Sequence, residues 1–98
     1  MTSFSELINQ EVPVLVDFKA DWCGPCKMMI PILKQVKQNF KDQIKIIKID
    51  IDQTPSVAQK YAVRGVPTLI LFKKGKSVWR QSGVLQANEL NTIINSHL

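Results

Sequence analysis

The stretch Val14-Leu15-Val16-Asp17-Phe18-Lys19-Ala20-Asp21-Trp22-Cys23-Gly24-Pro25-Cys26-Lys27 sets a nearly continuous apolar run directly before a closely spaced cysteine pair. The apolar run does not alternate, so it reads as a strand buried on both faces, as in a parallel sheet. A turn follows, and a long helix begins near Cys23. Residues three apart on a helix share a face, with Cβ atoms about 5–6 Å apart, which is close to disulfide geometry. The loop such a bridge closes is so short that its entropic stabilisation is only about 2 kcal/mol. A pair of this kind suits opening and closing better than stapling.

From the local sequence three readings stay open for Cys23 and Cys26, the only cysteines in the chain. They form a redox dithiol, or half of a zinc site, or inert packing. A closed zinc site needs about four protein ligands. The remaining soft candidate is His97, read as a solvated terminal residue, so zinc requires two chains.

Working outward, Ser3 and Glu6 form a capping-box signature for a short helix that Pro13 ends. The helix after Cys23 carries Met29, Ile30, Leu33, Val36 and Phe40 as an inner stripe, with Pro31 expected to kink it. Ile44 through Ile51 is a β-branched run, a second strand. Thr54 and Pro55 start a third helix running to about Tyr61. Thr68–Lys73 and Ser77–Gln81 are strands joined by the turn Lys74-Gly75-Lys76. Gly83 breaks the last strand, and Leu90, Ile93 and Ile94 mark a closing helix. Trp79 reads as packing or surface. The order α-β-α-β-α-β-β-α predicts an α/β fold: one mixed four-stranded sheet flanked by four helices, its first two strands parallel through a right-handed crossover. The dithiol then lies at the carboxyl end of the first strand, where open α/β sheets place their sites.

The length of 98 residues fits a single domain over 1–98, able to bury roughly 60–65% of its unfolded surface. Thirteen Lys and Arg against eight acids give a net charge of +5. They are scattered, which reads as a solvated surface and not as a nucleic-acid footprint. No apolar run approaches a membrane span and no secretory leader pattern opens the chain, so the expected location is cytoplasmic.

Disulfide exchange needs a thiolate. A helix N-terminus offers free N–H groups and a positive dipole end. Cys23 is therefore the candidate attacking sulfur. Cys26, one turn in and expected to be less exposed, is the resolving one. Gly24 permits close approach, and Pro25 restricts the backbone between the sulfurs. Asp17, an acid in an apolar strand, is either a proton acceptor with a raised pKa or a carboxylate paired with Lys48 on the neighbouring strand. Trp22 either shields the pair and contacts substrate or is an ordinary partly buried aromatic. Val66-Pro67 precedes the third strand.

The run Val16-Asp17-Phe18 with Ala20–Lys27, followed in order by Lys48-Ile49-Asp50-Ile51-Asp52, Tyr61–Thr68 and Phe72-Lys73-Lys74-Gly75, resembles the thioredoxin family over essentially the whole chain. The resemblance implies a thioredoxin fold and a general protein disulfide reductase. It implies a cis Pro67 facing the cysteines. It implies a docking groove lined by Trp22, Gly24, Pro25, Gly65, Val66, Pro67 and Gly83. It places Asp17 beneath Cys26 to assist its deprotonation, with Lys48 nearby. No bound cofactor or metal is implied beyond the redox disulfide Cys23–Cys26; electrons come from NADPH through a thioredoxin reductase. The expected partners are that reductase and disulfide-containing proteins, with no nucleic acid and no membrane.

Two departures from the family pattern stand out. Only Met1 and Thr2 precede Ser3, where thioredoxins usually have a further strand, so Ile44–Ile51 should be an exposed apolar edge. Such an edge invites pairing, so a monomer prone to weak dimerisation, or a stability deficit, is expected. Lys19 stands where the family commonly has an aromatic and adds a positive charge. The alternatives to a general reductase are a dedicated reductant for one pathway, a non-catalytic binding module and a zinc-bridged dimer.

Overall fold

The computed structural model describes residues 3–98; Met1 and Thr2, on which the expectation of a missing first strand partly turns, lie outside them. The elements are α1 (Phe4–Ile8), β1 (Val14–Lys19), α2 (Gly24–Phe40), a 3-10 turn (Lys41–Gln43), β2 (Lys45–Asp50), α3 (Pro55–Lys60), β3 (Thr68–Lys73), β4 (Lys76–Ser82) and α4 (Ala87–Asn95).

The sheet order is β2-β1-β3-β4. β1 runs parallel to β2, with Asp17 opposite Lys48, and antiparallel to β3. β4 pairs antiparallel with β3 across the two-residue turn Lys74-Gly75. Both turn residues have positive φ, 52° and 82°, the type I′ geometry that matches strand twist. β1 and β3 are central, which explains their non-alternating apolar sequence: every residue of β1 but the last is buried.

Strand alternation divides β1 between two cores. Leu15 faces α2 and α4, packing with Met29, Leu33, Val36, Leu69 and Leu90. Val14, Val16 and Phe18 face α1 and α3, with Ile8, Ile70 and Phe72. Asp17 follows the parity of Leu15, so it points to the side covered by α2. That face is otherwise apolar, and each fully buried Leu- or Phe-sized side chain there is worth about 1.5–3 kcal/mol.

Helix α2 runs unbroken through Pro31, which lies on its exposed side. The missing N–H of Pro31 removes only the bond to the Lys27 carbonyl. Ile30 does not join the inner stripe; it is 43% exposed. The reason is topological, because α2 there overhangs β2, an edge strand with no outer neighbour among the described residues. Thr54 occupies the N-cap position of α3 but its side chain makes no capping bond. α4 is started by Gln86, whose backbone N–H donates to Glu89 Oε1 at 3.1 Å, one arm of a capping box. His97 is half-buried and not simply solvated: its Nδ1 lies 2.9 Å from the Ile93 carbonyl oxygen.

Candidate active site

Cys23 is the N-cap of α2, and the cysteines are joined as a disulfide with Cα atoms 5.3 Å apart. The Cys26 N–H donates to Cys23 Sγ at 3.1 Å. This is the helix N-terminus acting on sulfur: a free backbone donor aimed at the atom that would carry negative charge. Gly24 and Pro25 are the first two helical positions, and proline is preorganised there. Cys23 and Cys26 are 3% and 4% exposed, so exposure does not separate them as the sequence suggested. The asymmetry lies in partners. Cys23 Sγ stands 3.7 Å from the Val66 carbonyl oxygen, in the segment that leads into β3. Cys26 instead lines a partly open cleft of about 200 Å³ with Asp17, Lys19, Ile30 and Lys48.

Asp17 is 3% exposed, and its Oδ1 has no hydrogen-bond partner. Burial raises its pKa from 3.8 to about 6, against the opposing pull of the Lys48 and Lys19 charges. No ion pair joins Asp17 to Lys48 among the described residues. Lys48 is exposed on the edge strand and acts on Asp17 only through space, so the structural-pair reading of this carboxylate is not what forms. Lys19 is committed elsewhere, to Asp21 at 3.0 Å and Asp50 at 3.6 Å. Asp50 also accepts the backbone N–H groups of Asp52 and Gln53, which with Lys19 hold its pKa below the usual range.

The Val66–Pro67 peptide bond is cis. Pro67 is buried, Val66 half-buried and Gly65 exposed. The Pro67 carbonyl accepts the Gly83 N–H at 2.9 Å, and Thr68 Oγ1 donates to the Gly65 carbonyl at 2.7 Å. Gly83 has φ +95°, a conformation that favours glycine. A Cβ on Gly24 or Gly65 would meet nothing within 4 Å, so both face open space. Trp22 is 70% exposed, and its Nε1 donates to Asp52 Oδ2 at 2.8 Å. It is therefore a tethered surface aromatic and not a partly buried one. Asp52 was not singled out in the sequence; the signal for it would have been a carboxylate just past β2 in a loop that returns to the cysteine turn.

The structure thus sets Val66 against Cys23 and bonds Gly83 to Pro67, while Asp17 and Lys48 line the same cleft as Cys26. Among the described residues no group of three or more His, Cys, Asp or Glu is placed to hold a metal ion. No helix among them is long and apolar enough to cross a membrane.

Comparison with known proteins agrees with this geometry. The thioredoxin family model matches residues 1–96. The chain is 50% identical to thioredoxin Y2, chloroplastic, of Arabidopsis thaliana, over 98% of this chain and 58% of that protein. It is 41% identical to thioredoxin 1 of Synechococcus elongatus, over 95% of this chain and 87% of that protein. It is 42% identical to thioredoxin of Acidithiobacillus ferridurans, over 96% and 87%. The chain therefore spans somewhat more than half the length of the plant relative and most of the length of the bacterial ones.

Proposed function

Because this chain belongs to the thioredoxin family and carries its active-site cysteine pair, which makes it a thiol–disulfide oxidoreductase, we propose that it is a general protein disulfide reductase. The observation that carries the reading is the Cys23–Cys26 disulfide at the N-terminus of α2, flanked by an exposed rim on one side and a buried unpartnered carboxylate on the other.

In the reduced protein the Cys23 thiolate attacks one sulfur of a substrate disulfide. That S–S bond breaks, the departing sulfur takes a proton, and a Cys23–substrate mixed disulfide forms. Cys26 gives its proton to Asp17 and attacks Cys23 Sγ. The mixed disulfide breaks, the second substrate sulfur leaves as a thiolate that takes a proton from water, Asp17 returns the Cys26 proton to water, and the Cys23–Cys26 disulfide is the product. Two electrons and two protons have passed to the substrate. Trp22, Gly24, Pro25, Gly65, Val66, Pro67 and Gly83 form the surface on which the substrate lies, and Lys48 tunes Asp17. A flavoprotein thioredoxin reductase returns the electrons from NADPH. The reaction requires a reducing compartment, for which we propose the cytoplasm; the relative named chloroplastic makes a plastid the alternative.

The test is NADPH oxidation by this protein, a thioredoxin reductase and a disulfide-bonded protein. Turnover that needs Cys23 and extends to unrelated protein disulfides supports the reading. Full activity in Cys23→Ser overturns it, and turnover confined to one substrate favours a dedicated reductant.

A further inference from the structure

Helix α3 ends in a turn that its own sequence does not favour. The Ala62 N–H donates to the Gln59 carbonyl at 3.1 Å, and the Val63 N–H to the Ala58 carbonyl at 2.8 Å. These two bonds are the Schellman closure, in which the residue just past the C-cap takes the left-handed conformation. Glycine is usual there. In this chain the position is Ala62, at φ +53°. A Cβ disfavours that conformation, so it persists only where the surroundings over-determine it.

Arg80 supplies the hold. It is an exposed residue of β4, opposite Ile70 of β3, and its guanidinium reaches the end of α3. One terminal nitrogen donates to the Tyr61 carbonyl, and the other donates to the Ala62 carbonyl at 2.9 Å. The Schellman bonds use the N–H groups of Ala62 and Val63, which leaves these carbonyls for an outside donor. The rigid fork of arginine fits two successive acceptors; the single ammonium of lysine does not. Tyr61 is also anchored through its ring, edge-on to Phe4 and Phe72 at 5.5 and 5.3 Å. Ala62 has no such packing to lean on, because its side chain is exposed.

The segment that starts at Ala62 leads to the disulfide. Its Val66 carbonyl oxygen stands 3.7 Å from Cys23 Sγ. The far end of the segment is held from the same side of the sheet. The Gly83 N–H donates to the Pro67 carbonyl at 2.9 Å. Thr68 Oγ1, 2.9 Å from Ser82 Oγ, donates to the Gly65 carbonyl at 2.7 Å. We propose that Arg80 is a positioning residue for the exchange reaction: by holding Ala62 in its left-handed turn, it sets where Val66 meets a protein substrate beside Cys23. Arg80 acts through the segment, so it governs how a protein substrate is held and not the chemistry at sulfur. The inference rests on the reductase reading above, which supplies the protein substrate.

The test mixes the pre-reduced protein with excess insulin, or with cystine, and counts the remaining thiols after a rapid quench. In Arg80→Ala the insulin concentration at half-saturation is expected to rise about fivefold, with the limiting rate changed less than twofold, as for lost binding that is equal in ground and transition states. The rate with cystine should stay the same. Exchange of the Val63 amide should quicken as the turn opens. Arg80→Lys should fall between Arg80→Ala and the unaltered protein, and it carries the test if Arg80→Ala does not fold. Arg80→Ala/Ala62→Gly should regain most of the lost insulin binding, because glycine keeps the left-handed turn without the guanidinium. A residue that only stabilised the fold would lower Tm and leave half-saturation unchanged. That result, an equal loss with cystine, or a double variant no better than Arg80→Ala would each overturn the proposal while the reductase reading stands. Failure of the unaltered protein to reduce insulin would instead overturn that reading, and this inference with it.

Discussion

The backbone N–H of Cys26 donates to Sγ of Cys23 at 3.1 Å, so one cysteine of the pair is solvated by the amide of the other. Since both are almost equally buried, this bond and the helix end behind it are what make the sulfurs unequal. In the reduced protein Cys23 is expected to react with iodoacetamide about tenfold or more faster than Cys26, because the thiolate is the reactive species. Peptide mapping after partial alkylation measures this. Cys26→Ser is expected to accumulate a mixed disulfide with substrate, and Cys23→Ser to lose reduction altogether.

In the proposed mechanism Asp17 takes the Cys26 proton in the second half of the exchange. With its pKa at about 6, it is ionised at neutral pH and able to take the Cys26 proton. The rate of mixed-disulfide resolution should rise with pH through about 6. Asp17→Asn should slow resolution about tenfold or more at pH 7, within the range general-base groups supply, and remove that step, leaving the first attack on substrate unchanged. Stopped-flow kinetics of the two phases across pH separate the effects.

The same carboxylate costs stability. A raised folded-state pKa means the folded protein holds this proton more tightly than the unfolded chain. The penalty is absent below about pH 4 and complete above about pH 6, as Asp17 ionises in its buried position. A shift from 3.8 to about 6 corresponds to about 3 kcal/mol. Asp17→Asn is therefore expected to stabilise the protein at pH 7 by up to about 3 kcal/mol, the gain shrinking to nothing near pH 4. Urea unfolding at the two pH values tests the sign as well as the size.

Trp22 owes its place to Asp52, and the bond between them is exposed. Asp52→Ala should release the indole at a cost of about 1 kcal/mol in preorganisation. The expected result is a KM for protein disulfides about fivefold higher with kcat changed less than twofold. The fluorescence of Trp22 should become more mobile while Trp79, half-buried on β4, reports an unchanged fold.

What the sequence revealed and what it hid follow one line. Val14–Phe18 and the Cys23–Cys26 spacing carried the sheet and the dithiol because burial on two faces and i, i+3 geometry are local properties. Asp17 was legible for the same reason, as an acid in an apolar strand. The Ile30 assignment failed because periodicity reports which residues share a helix face, not whether a neighbour covers it. The Asp17–Lys48 pairing failed because strand register brings Cα atoms together without making side chains meet. The tether from Asp52 to Trp22 and the hold of Arg80 on the Tyr61 and Ala62 carbonyls join segments 18 or more residues apart, and no local pattern announces them.

Gly24 and Gly83 border the same rim, yet their replacement should have opposite consequences. Gly83 sits at φ +95°, so Gly83→Ala is strained whatever the space around it, at about 1–2 kcal/mol. It should lower Tm by several degrees and disturb the bond from its N–H to the Pro67 carbonyl. Gly24 is a helical residue at the start of α2, and a Cβ there meets nothing within 4 Å. Gly24→Ala should therefore hold or slightly raise stability, by up to about 1 kcal/mol from helix propensity. In the proposed mechanism the open space it faces is where a substrate backbone enters beside Cys23. KM for protein disulfides should rise severalfold in Gly24→Ala while reduction of a small-molecule disulfide stays unchanged. Thermal unfolding and paired kinetics on the two substrate sizes distinguish a glycine kept for the chain's own conformation from one kept for what binds against it.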